Sequence, residues 1–484
     1  MTKTYQMYIG GQWVDASDRQ TFDDLNPYTG EVYAKVPKGK RADATRAIEA
    51  AAAAFPEWSA SPPGLRRKLF LKAADIFEKR QADLVAALNE ETGSTIGIAM
   101  FQMFFVPGLL REAAAQAYSV TGEIIPADYP GAFFMALRQP AGVVAGFGPF
   151  NVPYILCMRA VALPIAYGNT AVLKPSEEAP VTGGILLAEV FEEAGFPPGV
   201  LNVLTHAKED APDVGDELIV HPAARRISFT GSTEIGRIVA EKAGKNLKRA
   251  VMELGGKDPL IILKDADVDF AADAAAWGAF LHQGQICMST ERIIIEKPIA
   301  DEFTEKLATR AKALKVGDPR DPTTAIGPLI NQAAINKVHA HVQEAISGGA
   351  ELVTGGRYDR LVYQPTILTD VKYDMRIFTD QTFGPIAPIV VVNDAEEALQ
   401  VANNSKYGLS SGIITNDFNR ALEMARHLET GMVHIGDQTV NDEPQVPFGG
   451  VKGSGYGRMG GKAALDEFTE LRWISVQQTK RTFP

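Results

Sequence analysis

The segment FLHQGQICMSTER, residues 280–292, places Cys287 among small residues directly after an apolar helical run. The chain has only one other cysteine, Cys157, which lies within an apolar helical run and is expected to be inert. A thiol that only fills space does not need to be preceded by Gly284-Gln285 or followed by polar residues. We therefore interpret Cys287 as a nucleophile. Such a thiolate requires a carbonyl-type substrate, a donor for the developing oxyanion and a base that releases the covalent intermediate.

Two side chains are candidates for the base and for the oxyanion donor. Glu253 ends an apolar strand before Gly255 and Gly256, where partial burial raises the pKa of a carboxyl toward the range of a general base. A helix-capping or salt-bridged carboxylate is the alternative there. Asn151 lies at a strand-to-helix junction in GFGPFNVPY, where its amide and the backbone N–H of Cys287 can hold an oxyanion. An ordinary helix N-cap is the alternative for Asn151.

Two further segments are candidates for binding a dinucleotide. The strand RRISFTG is followed by a turn with Gly231 and Gly236 and then by a helix, and the free N–H groups of such turns bind phosphates. The spacing is G-x4-G and not the common G-x-G-x-x-G. Lys174 and Glu177 follow a short buried strand, where a lysine can reach a ribose hydroxyl and a carboxylate can bind the 2′-OH. An ordinary solvated turn remains the alternative for each segment.

The spacing of apolar runs predicts the elements that position these residues. From about residue 142, short Val- and Ile-rich runs alternate with helix-like segments, a pattern typical of βαβ units around a buried parallel sheet. A second such series begins near residue 258, and Cys287 lies near its start. A chain of 484 residues is expected to form two or three domains. Two tandem α/β units predict an active site in the cleft between them.

Composition excludes several classes of function. With 46% hydrophobic and 22% charged residues, the chain has the composition of a soluble globular protein. Its longest apolar runs fall short of the roughly 18–20 residues of a membrane span, and the N-terminus lacks a signal-peptide core. Two cysteines indicate a reducing compartment, and a net charge of −11 argues against a nucleic-acid partner. We expect a cytoplasmic protein with no membrane partner and no metal site.

Seven segments occur in the order and at the separations typical of one enzyme family. The chain resembles the aldehyde dehydrogenase superfamily over essentially its whole length. This resemblance implies an α/β fold of the aldehyde dehydrogenase type, with two Rossmann-type α/β domains and a β-ribbon oligomerisation segment. It also implies oxidation of an aldehyde to a carboxylic acid through a cysteine thiohemiacetal and thioester, with NAD as cofactor and NADP as an alternative. The segments are PFN (149–151), GNTAVLKPSE (168–177), FTGSTEIG (229–236), ELGGK (253–257), GQIC (284–287), FGP (383–385) and PFGGVKGSGYGR (447–458).

The resemblance carries roles over to the residues that match the family's motifs. Cys287 would be the nucleophile, Glu253 the general base and Asn151 the oxyanion donor. Lys174 and Glu177 would hold the adenosine ribose. The residues implied for the whole cofactor site are Pro149, Phe150, Lys174, Ser176, Glu177, Gly231, Ser232, Gly236, Leu254, Gln381 and Phe383.

Three positions depart from the family's usual pattern. Gln381 replaces a carboxylate that often binds the nicotinamide ribose, and an uncharged amide makes a weaker hydrogen bond. Phe150 stands where many members have Trp. Ala160, preceded by Arg159, replaces a lysine implicated in proton relay, which puts such a relay in doubt although Glu470 matches the family.

The chain is most similar to the aromatic branch of the family, which contains benzaldehyde, vanillin and salicylaldehyde dehydrogenases. This similarity rests on Arg159 and on the segments QGQICMSTER, MRIFTDQTFGP and VHIGDQTVNDEPQVPFGG. Flat apolar walls suit an aryl ring, although ordinary core packing is the alternative for the apolar residues. Arg159 could bind a ring hydroxyl or a substrate carboxylate, or it could bridge to Glu470. The predicted substrate site comprises Ile98, Phe101, Met103, Tyr154, Arg159 and Ile286.

The family's domain plan implies a discontinuous arrangement and an oligomer. Two extended runs flank a turn at Pro130-Gly131 and fit the ribbon, with the C-terminal strand pairing against a neighbour. Long apolar edge strands left bare would invite aggregation, so a homodimer or homotetramer is expected. The implied parts are an NAD-binding domain (1–121 and 141–252), a catalytic domain (253–440), a ribbon (122–140 and 468–484) and a return to the cofactor domain (441–467).

Three other functions fit parts of the sequence. A semialdehyde or broad aliphatic aldehyde dehydrogenase is the first, and for a semialdehyde Arg159 is the candidate anchor for the substrate carboxylate. A thiol hydrolase or esterase could use Cys287, Glu253 and Asn151 but would not require the cofactor segments. A structural protein on an inactive scaffold would not be expected to retain both Cys287 and Glu253.

Overall fold

Two large sheets dominate the computed structural model, which describes residues 2–483. In the first sheet the central strands are parallel and the strands at both edges are antiparallel. Helices cover both faces, so the central strands are apolar throughout and do not alternate. The strand order is Gly455–Tyr456, Arg249–Glu253, Ala224–Thr230, Val143–Phe147, Thr170–Lys174, Leu201–Val203, Met7–Ile9 and Gln12–Val14.

The second sheet is also largely parallel, with one antiparallel strand at its edge. The predicted α/β fold with two parallel sheets is therefore confirmed. Residue 253, the predicted start of the catalytic part, ends a strand of the first sheet. The strand order here is Glu351–Thr354, Thr366–Thr369, Ile386–Val392, Thr290–Glu296, Asp258–Ile262, Gly412–Ile414 and His434–Ile435.

A three-stranded antiparallel sheet forms the predicted ribbon. Its two long strands pair along nine residues, from Thr469 opposite Pro140 to Gln477 opposite Ala132. One edge of the C-terminal strand thus pairs within its own chain. Its other edge is an outer edge of this sheet, so pairing against a neighbour stays a prediction. This sheet has the order Thr469–Gln477, Ala132–Pro140, Gly122–Ile125; the smaller sheets comprise Lys3–Thr4, Val32–Pro37, Thr21–Leu25 and, separately, Tyr358–Asp359, Val362–Tyr363.

Helices pack on both faces of the two large sheets. Their apolar sides and the buried strand faces form the main cores of the protein. The α-helices are Arg41–Ser59, Pro63–Lys79, Gln81–Thr92, Ile96–Gln116, Pro153–Ala166, Leu186–Ala194, Ala211–Val220, Thr233–Lys245, Val268–Phe280, Ala300–Ala313, Gln332–Ser347, Arg376–Thr379, Ala395–Asn403, Phe418–His427 and Ala464–Phe468.

The helix Ile96–Gln116 is the one helix among the described residues that is long and apolar enough to cross a membrane by length and composition. Of its most apolar 18-residue window, 56% is buried inside the protein. It packs against the helices Pro63–Lys79 and Pro153–Ala166. Its apolar character is thus accounted for largely by packing within the fold.

Arg292 ties the strand Thr290–Glu296 to the helix Ala395–Asn403 and to the start of the neighbouring strand Asp258–Ile262. Its buried guanidinium donates to the carbonyl oxygens of Lys257 (2.9 Å), Val401 (3.0 Å) and Ala402 (2.8 Å). It also lies 5.1 Å from the ring centre of Phe378. One side chain therefore satisfies three carbonyl groups that have no access to water.

Replacing Arg292 by Met should lower the stability of the protein strongly. Each buried acceptor left without a donor costs about 1–3 kcal/mol, so we expect a loss of at least about 3 kcal/mol. The midpoint of urea unfolding, followed by circular dichroism, measures this loss. Arg292→Lys keeps the charge but not the planar set of donors, so its unfolding midpoint should lie between those of the unmodified protein and Arg292→Met. An unchanged midpoint for Arg292→Met would contradict this account.

Candidate active site

A strained turn presents Cys287 between the two sheets. His282 and Gln283 adopt left-handed backbone conformations, with φ of 51° and 58°, which cost about 1–2 kcal/mol for a residue with a side chain. Contacts with neighbouring segments hold this conformation: the Gln283 amide donates to the carbonyl of Pro328 at 3.0 Å. A Cβ at Gly284 would lie 2.1 Å from the Gly384 carbonyl oxygen. The turn therefore requires glycine at this close approach.

Asn151 lies beside this turn. Its side-chain amide donates to the Gln285 carbonyl at 3.0 Å, and the ring Nε2 of His282 donates to the Asn151 carbonyl at 2.6 Å. The following helix begins at Pro153 with Val152 as its N-cap. The alternative of an N-cap role for Asn151 is therefore wrong, and one amide N–H is already directed at the turn that carries the nucleophile.

Glu253 is buried with the Cys287 thiol beside its carboxylate, and neither carboxylate oxygen has a hydrogen-bond partner among the other described residues. Burial raises the pKa of this carboxyl to about 7, which suits a general base at neutral pH. Burial, and after it the charge of Glu253, raises the pKa of the Cys287 thiol well above its usual value. A capping or salt-bridged role for Glu253 does not fit these surroundings.

A cleft of about 260 Å³ opens on one side of Cys287. Gln381 contributes an amide Nε2 that is buried and has no partner among residues 2–483, as a ribose hydroxyl would require. Ser232 caps the helix Thr233–Lys245 through the N–H of Ile235, so the N-terminal dipole of this helix points to the cleft. The residues present thus fit a nicotinamide dinucleotide. Of the predicted cofactor residues, the cleft is lined by Pro149, Phe150, Gly231, Ser232, Leu254, Gln381 and Phe383.

The remaining predicted cofactor residues lie outside this cleft. Gly236 is packed on Leu254, where a Cβ would lie 2.3 Å from the leucine Cδ2. Lys174 ends a strand of the first sheet, and its Nζ donates to Nε2 of His206 at 2.5 Å. Ser176 and Glu177 follow in the next turn, with Ser176 Oγ 3.5 Å from a Glu177 carboxylate oxygen.

His206 is a residue near Lys174 that sequence reasoning missed. Its Nδ1 donates to the carbonyl of Ala207 at 2.9 Å, which leaves Nε2 free to accept from the lysine. Burial, with the charge of Lys174, lowers the pKa of His206 to about 3, and burial lowers that of Lys174 to about 8. A histidine within the apolar run VLNVLTHA was the only available signal.

A second cavity, of about 410 Å³, opens on the other side of Cys287. Cys287 and Leu156 line both cavities, so the sulfur stands where they meet. Ile98 and Ile286, both predicted, lie in its wall. Four aromatic rings also line it: Phe101, which was predicted, and Phe270, Trp277 and Phe448, which were not.

Three predicted substrate residues do not line this cavity. Met103 is buried on another side of its helix. The Tyr154 hydroxyl donates to the Leu84 carbonyl at 3.1 Å, and its ring packs on Phe77 in the core. The predictions for Met103 and Tyr154 are wrong because the sequence does not show which face of an apolar helix meets the cavity.

Arg159 is likewise buried behind the cavity wall, where it pairs with Asp442 at 2.8 Å. Its guanidinium also lies 4.7 Å from the ring centre of Phe448. The suggested bridge to Glu470 is wrong, because Glu470 binds Arg226 at 2.6 Å. Asp442, which lines the cavity, was missed because it is distant from Arg159 in the sequence.

A half-buried cysteine, a buried carboxylate beside it and a dinucleotide cleft at the ends of parallel strands define a thiol-dependent oxidoreductase. The chain belongs to the aldehyde dehydrogenase family, whose profile matches residues 13–474. It is 46% identical over 478 residues to a vanillin dehydrogenase of Pseudomonas sp. strain HR199, covering 99% of both chains. It is 40% identical over 481 residues to a benzaldehyde dehydrogenase [NAD(+)] of Pseudomonas putida, covering 99% of this chain and 98% of the relative.

A solved structure gives the same result for the fold. The crystal structure of a salicylaldehyde dehydrogenase from Pseudomonas putida G7, complexed with salicylaldehyde, superimposes with a TM-score of 0.97 at 42% identity, covering all of both chains. The predicted family, fold and enzyme class are confirmed.

The geometry accounts for the family's reaction in this chain. In the proposed assignment, Cys287 would add to the aldehyde carbon, and the Asn151 amide is placed to donate to the oxyanion that forms. A bound nicotinamide cofactor supplies the hydride acceptor. Once the adduct is oxidised, Cys287 would hold the acyl group as a thioester. Glu253 would then take a proton from water, which attacks the thioester and releases the acid and the thiol.

Replacing Glu253 by Gln should stop the reaction at the thioester. We expect one burst of NADH per active site and a steady rate lower by roughly 10²–10⁴-fold, because the base is lost. Rapid-mixing absorbance at 340 nm separates the two phases. Because the base acts when deprotonated and its pKa is about 7, turnover of the unmodified protein limited by deacylation should rise as pH increases through about 7. Cys287→Ser should show no burst, whereas a normal steady rate for Glu253→Gln would assign the base elsewhere.

Proposed function

We propose that this chain oxidises aromatic aldehydes, such as benzaldehyde, vanillin or salicylaldehyde, to the corresponding acids in the cytoplasm. NAD is the proposed cofactor and NADP the alternative. The observation that carries the proposal is the cavity beside Cys287, which four aromatic rings line. Flat rings offer stacked and edge-on contacts that favour an aryl group over a short aliphatic chain. The relatives named for vanillin, salicylaldehyde and benzaldehyde support the same substrate class.

Asp442 gives this cavity a polar group for a ring substituent. Its Oδ2 pairs with Arg159, while its buried Oδ1 has no partner among the described residues. A free carboxylate oxygen accepts a hydrogen bond from a phenolic hydroxyl. The same pair weakens the semialdehyde alternative, because the charge of Arg159 is already neutralised and is not exposed to the cavity.

Aromatic aldehydes should be preferred when substrates are compared directly. We expect kcat/KM for benzaldehyde and hydroxylated benzaldehydes to exceed that for short aliphatic aldehydes and succinic semialdehyde by tenfold or more, about 1.4 kcal/mol of transition-state stabilisation. NADH formation by the purified protein measures each value. Preference for the aliphatic or semialdehyde substrates would refute the proposed substrate class and leave the family reaction intact.

We further propose that the protein forms a homodimer or homotetramer through the ribbon. Several large apolar side chains on the three-stranded sheet are exposed, among them Ile124 (66%), Leu471 (61%) and Trp473 (67%). The Trp473 ring packs on Phe134 and so is held in place on this surface. An exposed apolar sheet with free edges is typically covered by another chain.

Leu471→Glu should therefore shift the protein to a smaller assembly. Burial of a new charge at a subunit interface is unfavourable, and sedimentation velocity at several protein concentrations measures the change in mass. Leu247→Glu is the matched control, because Leu247 is 96% exposed at a distant turn. Equal masses for the two variants would place the interface elsewhere.

A further inference from the structure

The Glu291 carboxylate joins the strand that carries it to the loop at one end of the cofactor cleft. Glu291 lies a few residues after Cys287 and is only 3% exposed. Its Oε2 accepts the backbone N–H of Thr382 at 2.7 Å, and its Oε1 accepts that of Phe383 at 2.8 Å. One carboxylate thus holds two consecutive amides of the loop.

This loop is strained and closely confined. Phe383 has a left-handed backbone conformation, with φ of 60°, which a residue with a side chain adopts only when its neighbours enforce it. A Cβ at Gly255 would lie 2.3 Å from Oε1 of Gln381. On the other side, the Gly384 carbonyl packs directly against Gly284 of the nucleophile turn. A small shift of the loop would therefore change the width of the cleft beside Cys287.

Lys257, which immediately precedes the strand Asp258–Ile262 of the second sheet, completes the arrangement. Its buried ammonium lies 2.6 Å from Oε2 of Glu291 and 3.3 Å from Oγ1 of Thr382. A neighbouring ammonium favours the ionised form of a carboxylic acid. Backbone N–H groups bind an ionised acceptor more strongly than a neutral one. Lys257 follows Glu253 by four residues. Its ion pair with Glu291 therefore connects the segment of the candidate base with the loop at Thr382 and with the strand that follows Cys287.

We propose that Glu291 is a positioning residue for the nicotinamide half of the cofactor. It fixes the loop so that Gln381 and Phe383 line the cleft at a set distance from the Cys287 sulfur. The proposal rests on the cofactor role proposed above for Gln381 and Phe383.

The test compares Glu291→Gln with a matched variant on the same strand. Glu296→Gln has the same chemical change at a side chain that is 2% exposed, but Glu296 accepts from the backbone N–H of Lys264 at the far end of the strand. In the protein without cofactor, hydrogen exchange at Thr382 and Phe383 should become about tenfold faster in Glu291→Gln and stay unchanged in Glu296→Gln.

Cofactor affinity is the second measurement. Titration calorimetry with NAD⁺ should give a dissociation constant about tenfold higher for Glu291→Gln, because charge-assisted hydrogen bonds to the loop are replaced by weaker ones. The KM for NAD⁺ should rise in parallel, while the KM for the aldehyde at saturating NAD⁺ should stay the same. A purely structural role of Glu291 would not separate these two constants.

Two results would overturn the proposal in different ways. Unchanged exchange at Thr382 and Phe383 would show that Glu291 does not hold the loop. Faster exchange with an unchanged NAD⁺ dissociation constant would show that the loop does not position the cofactor. The proposed function, aldehyde oxidation, would still stand after that result. If Glu291→Gln does not fold because Lys257 loses its partner, the double variant Lys257→Met/Glu291→Gln removes the unpaired charge, and both measurements are repeated on it.

Discussion

Burial of the Glu253 carboxylate beside the Cys287 thiol is the constraint on which the rest of the site depends. A carboxyl in water has a pKa of about 4.3 and is a weak base, whereas removal from water raises that of Glu253 to about 7. This burial disfavours the charged form, and its effect exceeds the opposing effects of the Cys287 thiol and of the charge of Arg159. The surrounding fold must therefore be stable enough to keep both groups away from water.

The two α/β units meet this requirement by each contributing one part of the reacting set. Glu253 ends a strand of the first sheet, and Asn151 follows another strand of that sheet. Cys287 lies between a helix and a strand of the second unit, on a turn with two left-handed residues. The groups come together only when the units are packed, which also places one cavity on each side of the sulfur.

Local patterns were sufficient to predict much of this arrangement. Val- and Ile-rich runs predicted the parallel sheets because strands covered on both faces are apolar throughout. Cys287, Glu253 and Asn151 were predictable because each lies in a short segment of unusual composition, and the structure brings all three together. Met103 and Tyr154 were assigned wrongly to the substrate site, because an apolar helix offers the same residue types to the core and to a cavity.

The sequence by itself determined the family and the two-sheet fold, and it singled out Cys287, Glu253 and Asn151 as the candidate nucleophile, base and oxyanion donor. Only the tertiary structure decided that Arg159 pairs with Asp442 and not with Glu470, and that Glu291 binds the loop at Thr382 and Phe383. The physical reason is that the identity of a residue is local, whereas its partner and its degree of burial are not. Both depend on segments that are remote along the chain and become neighbours only after the two units pack.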